Sequence, residues 1–319
     1  MTGWRGLAAG MALLALATWV GPSSADPSAF VRTLPDTAAG AALQQQFGAR
    51  GLAVSEQEIE REAFELVATQ GDALAATYRA RHGRMVNTDE ARELFPAYAA
   101  DRSRAAAVHR PATLLAERVY TDLLAAKGGE VDGVVFLAGG AGSGKTTALH
   151  RMMRSQPAGE VVTFDGTFAD RDADLRRIRQ ARDAGLPVRV IYVHLDDPLV
   201  ALANALARAE QMAAELGTGR TIPAAELVGL HARARQAFVA VADALAADPQ
   251  VTFLLVDHSG GPEQPREPLS GDEAVAFMRA RQLDAAEVLR LQAAAEALVD
   301  ERYRAGAISA RTWRGFGGG

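Results

Sequence analysis

The chain has 319 residues, 49% of them apolar and 23% charged, with a net charge of −5 at pH 7 and no cysteine. That length and apolar share allow one sizeable core with additions, and exclude both a disulfide-stapled miniature fold and a disordered chain. The acidic balance argues against a general nucleic-acid coat, which displaces counterions with a basic face, and the missing thiols exclude thiol catalysis and thiolate-bound zinc.

Behind Arg5, residues Leu7 to Val20 are uncharged and apolar, and Gly21-Pro22 and Ser23-Ser24-Ala25 follow. A charged start, a short apolar core and small residues at a cleavage point make residues 1–25 a signal-peptide-like segment, expected to direct export to the periplasm or beyond. The apolar stretch falls short of the roughly 20 residues of a membrane span, and no other span is expected. An alanine-rich leader that is never exported is the other reading. Residues 26–51, rich in Ala, Gly, Gln and Pro, read as a linker.

Ser55-Glu-Gln-Glu58 has the form of a capping box before a helix whose Phe64, Val67, Leu74 and Tyr78 share a face. Gly83 ends it, Arg84 to Asn87 reads as a short buried strand, and one or two helices run on through Arg110 to Ala126. Val134 to Leu137 is a β-branched run entering a glycine-rich turn, hence a buried parallel strand, with a helix expected from Lys145 to about Ser155. Strands are expected at Val161–Phe164, Val188–Leu195 and Val251–Val256. Between the first two lies an arginine-rich helix closed by Gly185; between the last two lie one helix opened by Asp197-Pro198 and broken by Gly217-Thr-Gly-Arg220, and another opened by Pro223. Prolines from Pro262 to Pro268 mark a second linker, and Ser270-Gly-Asp-Glu273 is a capping box before a helical end near Tyr303. Strands alternating with helices imply an α/β fold with a parallel sheet flanked by helices, over residues 52–261, with helical additions at both ends and 262–319 as linker and extension.

Gly139, Gly140, Ala141, Gly142, Ser143, Gly144, Lys145 and Thr146 fit G-x-x-x-x-G-K-[ST] between a strand and a helix, with Thr147 next. Such a loop turns backbone N–H groups toward phosphate at a helix N-terminus, sends its lysine to the β- and γ-phosphates, and offers its threonine to Mg2+. The sequence holds only two lysines, Lys127 and Lys145, and one of them stands here. ATP and Mg2+ are therefore the expected ligands, on a P-loop NTPase fold. Asp165, at a strand end before Gly166, is a candidate for Mg2+ and substrate, or a plain turn aspartate. Asp89 and Arg92, three apart at a helix start, are either site residues or a capping aspartate with its ion pair.

Together these pieces resemble the zeta-toxin family of P-loop kinases, over roughly residues 83 to 260, and through it chloramphenicol phosphotransferases. Members of that family phosphorylate UDP-N-acetylglucosamine, and a segment Asp-x-Asp-x-x-Arg with Pro and Tyr supplies their base. Asn87-Thr-Asp89-Glu-Ala-Arg92 with Pro96 and Tyr98 matches it. The resemblance implies Asp89 as the catalytic base, Arg92 as a substrate anchor, Asp165-Gly166-Thr167 as the family's acidic strand end, and Arg220, with Arg208, as arginines on the ATP phosphates. It also implies a nucleotide-sugar acceptor and an antitoxin partner. Two features depart from the family: Asp89 precedes the phosphate loop, as in a permuted chain, and Asn87 stands where an acid is usual. ATP use fits the cytoplasm better than export.

Arg208, on a helix rich in Ala and Glu, has a second reading as part of a solvated face. His109, His150, His194, His231 and His258 lack metal-ligand spacing, so separate structural roles are expected. Asp257 and His258, at a strand end, suit either an adenine loop or packing. The competing function is an ATPase or nucleotide switch, for which Ile191 to Asp197 is the nearest apolar strand ending in acids, although Asp197-Pro198 already reads as a helix cap.

Overall fold

The computed structural model describes residues 54–125, 131–148, 160–261 and 267–318. The signal-like segment 1–25, the linker 26–51, His150, the phosphate-loop helix beyond residue 148 and residues 262–266 of the proline-rich linker lie outside the described residues.

In chain order the elements are α1 (Val54–His82), β1 (Met85–Asn87), α2 (Thr88–Arg92), α3 (Pro96–Ala100), a 3-10 turn (Arg102–Ala105), α4 (His109–Leu124), β2 (Gly133–Ala138), helical residues 145–148, β3 (Val161–Asp165), α5 (Arg171–Asp183), β4 (Val188–His194), α6 (Pro198–Leu216), α7 (Ala224–Leu245), β5 (Val251–Asp257), β6 (Leu269–Ser270), α8 (Gly271–Arg279), α9 (Ala285–Arg304) and α10 (Ala310–Gly315). The sheet runs β1-β3-β2-β4-β5-β6, parallel throughout except for β6, which pairs antiparallel with β5. This is an α/β, P-loop NTPase-like architecture.

The central strands β2 and β4 are buried almost end to end, as expected of parallel strands covered by helices. On one face Tyr120 of α4 stands edge-on to Phe164 and Phe136, and Phe238 of α7 edge-on to Tyr192 and Phe253. The other face carries a smaller cluster of Leu137, Ile191 and Val256. A second core, with Leu202, Leu206, Leu227, Val228, Leu291, Val299 and Phe316, joins α6 and α7 to α9 and the C-terminal residues.

Local signals behave as expected where the chain itself satisfies them. Asp197 accepts from the Leu199 amide at 2.8 Å with Pro198 at the first helical position, and Gly217 closes α6 in the left-handed region (φ 77°). Four expectations change. The first helix begins at Val54, so Ser55 stands within it and not ahead of it as a cap. The stretch after β1 divides into α2, α3, a 3-10 turn and α4, because Pro96 starts a new helix. Ser270 makes no side-chain cap bond, so its capping box does not form. The C-terminus continues past Tyr303 into α10, capped by Ser309 on the Thr312 amide. No described helix is long and apolar enough to cross a membrane.

Candidate functional site

Strand register sets the site. Asn87 pairs opposite Asp165, and Asp165 opposite Leu137, so the carboxyl tips of β1, β3 and β2 end level with one another. The glycine-rich loop leaves β2 at this edge, where nucleotides bind in open parallel sheets.

The loop is packed to backbone contact. A methyl group at Gly142 (φ 77°) would lie 2.2 Å from the carbonyl oxygen of Ala201, and one at Gly140 would lie 2.2 Å from Nε2 of His231, so both positions require glycine. Its carbonyls are held from outside: His231 Nε2 lies 2.9 Å from Ala141 O, Asn204 Nδ2 donates to Gly142 O at 3.1 Å, and His258 Nδ1 lies 3.3 Å from Ser143 O. Carbonyls fixed outward are the arrangement in which neighbouring N–H groups face an anion. A carbonyl only accepts, so Nε2 of His231 carries the ring proton, and burial pushes this histidine down to about 4. Lys145 folds back across the loop, donating to Gly139 O at 2.7 Å and Gly140 O at 3.3 Å. Burial holds its ammonium below the usual lysine value, against the pull of Asp165 and Asp89. Thr146 and Thr147 are exposed at the start of the following helix, whereas Ser143 is buried and its hydroxyl has no partner among the described residues.

At the tip of β1, Asn87 acts as a clip. Its Oδ1 accepts from the Asp89 amide at 2.6 Å, capping α2, and its Nδ2 donates to Asp165 Oδ2 at 2.8 Å. The Tyr78 hydroxyl secures the same tip, accepting from Asn87 N at 2.8 Å and donating to Asn87 O at 3.2 Å. The second oxygen of Asp165 is buried without a hydrogen-bond partner. Burial raises this carboxyl above its ordinary value, with Lys145 pulling the other way. Beyond β3, Phe168 holds a left-handed backbone (φ 57°), unusual for a bulky residue, while the carbonyl of Thr167 accepts from Gly139 N at 3.3 Å.

Asp89 is engaged on both oxygens: Arg92 Nη1 lies 2.8 Å from Oδ1 and Arg220 Nη1 2.5 Å from Oδ2. Burial favours its neutral acid, but Arg220 and Arg92, with Lys145 behind them, outweigh burial and hold the carboxyl below the usual range. Arg92 also donates to Nδ1 of His109 at 2.6 Å. Arg220 sits in the turn between α6 and α7, where a methyl group at Gly219 would lie 2.1 Å from Ala209 O.

The structure thus gathers Asp89, Arg92, Arg220, Lys145 and Asp165 within electrostatic reach of one another. Arg208 is exposed on α6, close enough for its charge to bear on Lys145. Sequence reading missed the clip role of Asn87, although an Asn ahead of Thr-Asp is a capping signal. It also missed His231 and Asn204, whose partners lie far along the chain, and the hydroxyl role of Tyr78, whose partner Asn87 lies across the turn from α1 to β1. Asp196 and Asp197 are otherwise occupied: Asp197 caps α6, and Asp196 faces His194 at 3.3 Å and Arg281 at 3.8 Å. Among the described residues no group of three His, Asp or Glu side chains could hold a metal unaided.

No curated protein matches the chain. Residues 159–260, which include Asp165, Arg208 and Arg220 but not the phosphate loop or Asp89, match the family model described as Zeta toxin, a P-loop kinase-like family.

Proposed function

We propose that the chain is an ATP-dependent small-molecule kinase that transfers the γ-phosphate of ATP to a hydroxyl group, with a nucleotide sugar such as UDP-N-acetylglucosamine as the acceptor class. One observation carries this reading: a carboxylate, Asp89, stands at the phosphate-loop edge of the sheet between Arg92 and Arg220, with Lys145 close enough to lower its pKa. A binding module needs no such base.

The residues suit ATP and Mg2+. The loop backbone is cradled so closely that side chains are excluded at Gly140 and Gly142, and Asp165 Oδ1 is buried with no partner of its own. Gly139 to Thr147 would hold the phosphates, and Thr146 and Asp165 the metal, which supplies positive charge on the phosphate oxygens. In the reaction the acceptor oxygen attacks the γ-phosphorus, the bond to the β–γ bridging oxygen breaks, and ADP leaves. Asp89 takes the hydroxyl proton. Lys145, Arg220 and, from the rim, Arg208 neutralise charge spread over the transferring group, while Arg92 orients Asp89 and the acceptor.

In this reading the chain is a permuted relative of the zeta toxins. The base-bearing strand β1 precedes the phosphate loop in sequence yet occupies the sheet edge beside β3, and geometry rather than chain order makes a site. An antitoxin covering the nucleotide cleft, and export by the N-terminal segment as against cytoplasmic action, belong to the same proposal. The switch reading has less support, since the two acids after β4 already have structural partners.

The test is phosphate transfer from γ-labelled ATP to UDP-N-acetylglucosamine by the purified chain, beside Lys145→Ala. Labelled acceptor that depends on Lys145 is expected. Release of free phosphate with the same dependence, and no labelled product from any hydroxyl acceptor, would establish an ATPase instead.

A further inference from the structure

Beyond Arg220, the turn that carries it is backed by the end of α10 and the residues after it. A methyl group at Gly315 would lie 2.5 Å from Thr221 Oγ1, and one at Gly317 3.8 Å from Pro223, so the end of α10 lies directly on the residues after Arg220. The carbonyl of Phe316 accepts from the Ala224 amide at 2.9 Å, satisfying the first N–H of α7 where the turn ends.

This end of the chain is itself anchored on three sides. Phe316 and Ile308 are buried in the second core. Ser309 donates from both N and Oγ to Glu210 of α6, each at 2.9 Å, and Trp313 Nε1 donates to Asp300 of α9 at 2.7 Å. Arg311 pairs at 2.5 Å with Asp101, which caps the 3-10 turn downstream of Asp89 and Arg92. The residue after Asp101, Arg102, donates its amide to Thr218 Oγ1 at 3.1 Å, on the near side of the Arg220 turn. The contacts close a ring: base-bearing segment, α10, arginine turn, and back to the base-bearing segment.

A guanidinium on a free turn would give up most of an ion pair's energy to the entropy of ordering turn and side chain. A turn fixed at both ends delivers it with that cost already met. We propose that α10 and the residues following it are the backstop of the Arg220 turn, with Arg311 and Gly315 as positioning residues that set where Arg220 meets Asp89 and the transferring phosphoryl group. The catalytic part rests on the kinase reading; the clamp on the turn does not. The C-terminal extension then belongs to the site as a strut.

The experiment compares the full chain with Arg311→Ala, Arg311→Lys and Gly315→Val, and with Arg279→Ala, which breaks an exposed pair with Asp243 away from the site. Two readouts are taken: hydrogen exchange across 217–223 without nucleotide, and kcat and KM for transfer. Arg311→Ala and Gly315→Val are expected to speed exchange in 217–223 while β2 and β4 stay protected. They should lower kcat roughly tenfold or more with little change in the KM for ATP, as misplaced catalytic groups do. Arg311→Lys should restore most of both, and Arg279→Ala should alter neither. Unchanged exchange and unchanged kcat in Arg311→Ala and Gly315→Val overturn the proposal. Faster exchange in a protein whose unmodified form transfers nothing retains the clamp and rejects the kinase reading. Normal transfer with faster exchange rejects the catalytic role of the strut.

Discussion

Asp89 has a guanidinium on each oxygen, and this shapes what it can do as a base. In the proposed reaction a carboxylate held below its ordinary pKa stays ionised near neutral pH, and its protonation sets the acidic limit of turnover. Removing Arg220 removes the larger of the two arginine influences, and the Asp89 pKa must rise. Arg220→Ala is therefore expected to move the acidic limb of the kcat profile to higher pH, besides lowering the plateau by about 10²-fold for the lost phosphate contact. A profile whose limb stays in place would show that Arg220 does not face Asp89 in solution. Asp89→Asn keeps the shape and removes the proton acceptor. It should cut transfer by roughly 10² to 10⁴ and leave ATP affinity, measured by calorimetry, within about threefold. Among single residues, Lys145 and its glycines were legible because the motif is contiguous. His231 was not, because its partner Ala141 lies 90 residues away and only the fold brings them together.

At the scale of elements, the tip of β1 does most with least. Three residues pair with β3, cap α2, tie to α1 through Tyr78 and orient two carboxylates. Asn87 can do this because its amide accepts with one atom and donates with the other. Asn87→Ala loses both bonds and should cost about 1 kcal/mol of stability for the cap. Asn87→Asp can still cap the helix but cannot donate to Asp165, and it adds a like charge beside it. The expected result is near-normal thermal stability for Asn87→Asp with a transfer rate as low as that of Asn87→Ala; recovery of activity in Asn87→Asp would reject the clip. Sequence located β1 as a strand and Asn87-Thr-Asp89 as a helix entrance. It did not show that this strand pairs with β3, since parallel pairing between distant segments leaves no local mark. The same limit hid β6, which pairs with the distant β5, and the Ser270 side chain makes no cap bond at the start of α8.

For the whole molecule, two buried histidines set a pH dependence. Burial pushes both His194 and His231 down to about 4. Neutral when folded and near 6.5 when unfolded, each contributes stability that is complete above about pH 6.5 and is lost as pH falls toward 4, on the order of 3 kcal/mol apiece. Asp174 works the other way: burial raises it to about 7, so it regains stability over much of the same range and offsets part of the loss. The net expectation is a thermal midpoint that declines from pH 7 to pH 4.5, with His231→Asn flattening the decline. A ring of His231 that titrates near 6.5 by NMR would contradict this.

Sequence alone determined what depends on neighbours along the chain. It placed the alternation of strands and helices, the helix ends at Asp197-Pro198 and Gly217, and the glycine-rich turn between β2 and the helix from Lys145, since each is a local pattern that a few consecutive residues satisfy by themselves. Tertiary structure decided what depends on distance in space. The register of β1 on β3 set Asn87 against Asp165, the packing of Gly219 on Ala209 aimed Arg220 at Asp89, and α10 came to rest on Thr221. Apart from Gly219 on Ala209, those contacts join residues separated by scores of positions, and only the burial of the two cores makes closing such loops favourable, so no short stretch of sequence could announce them.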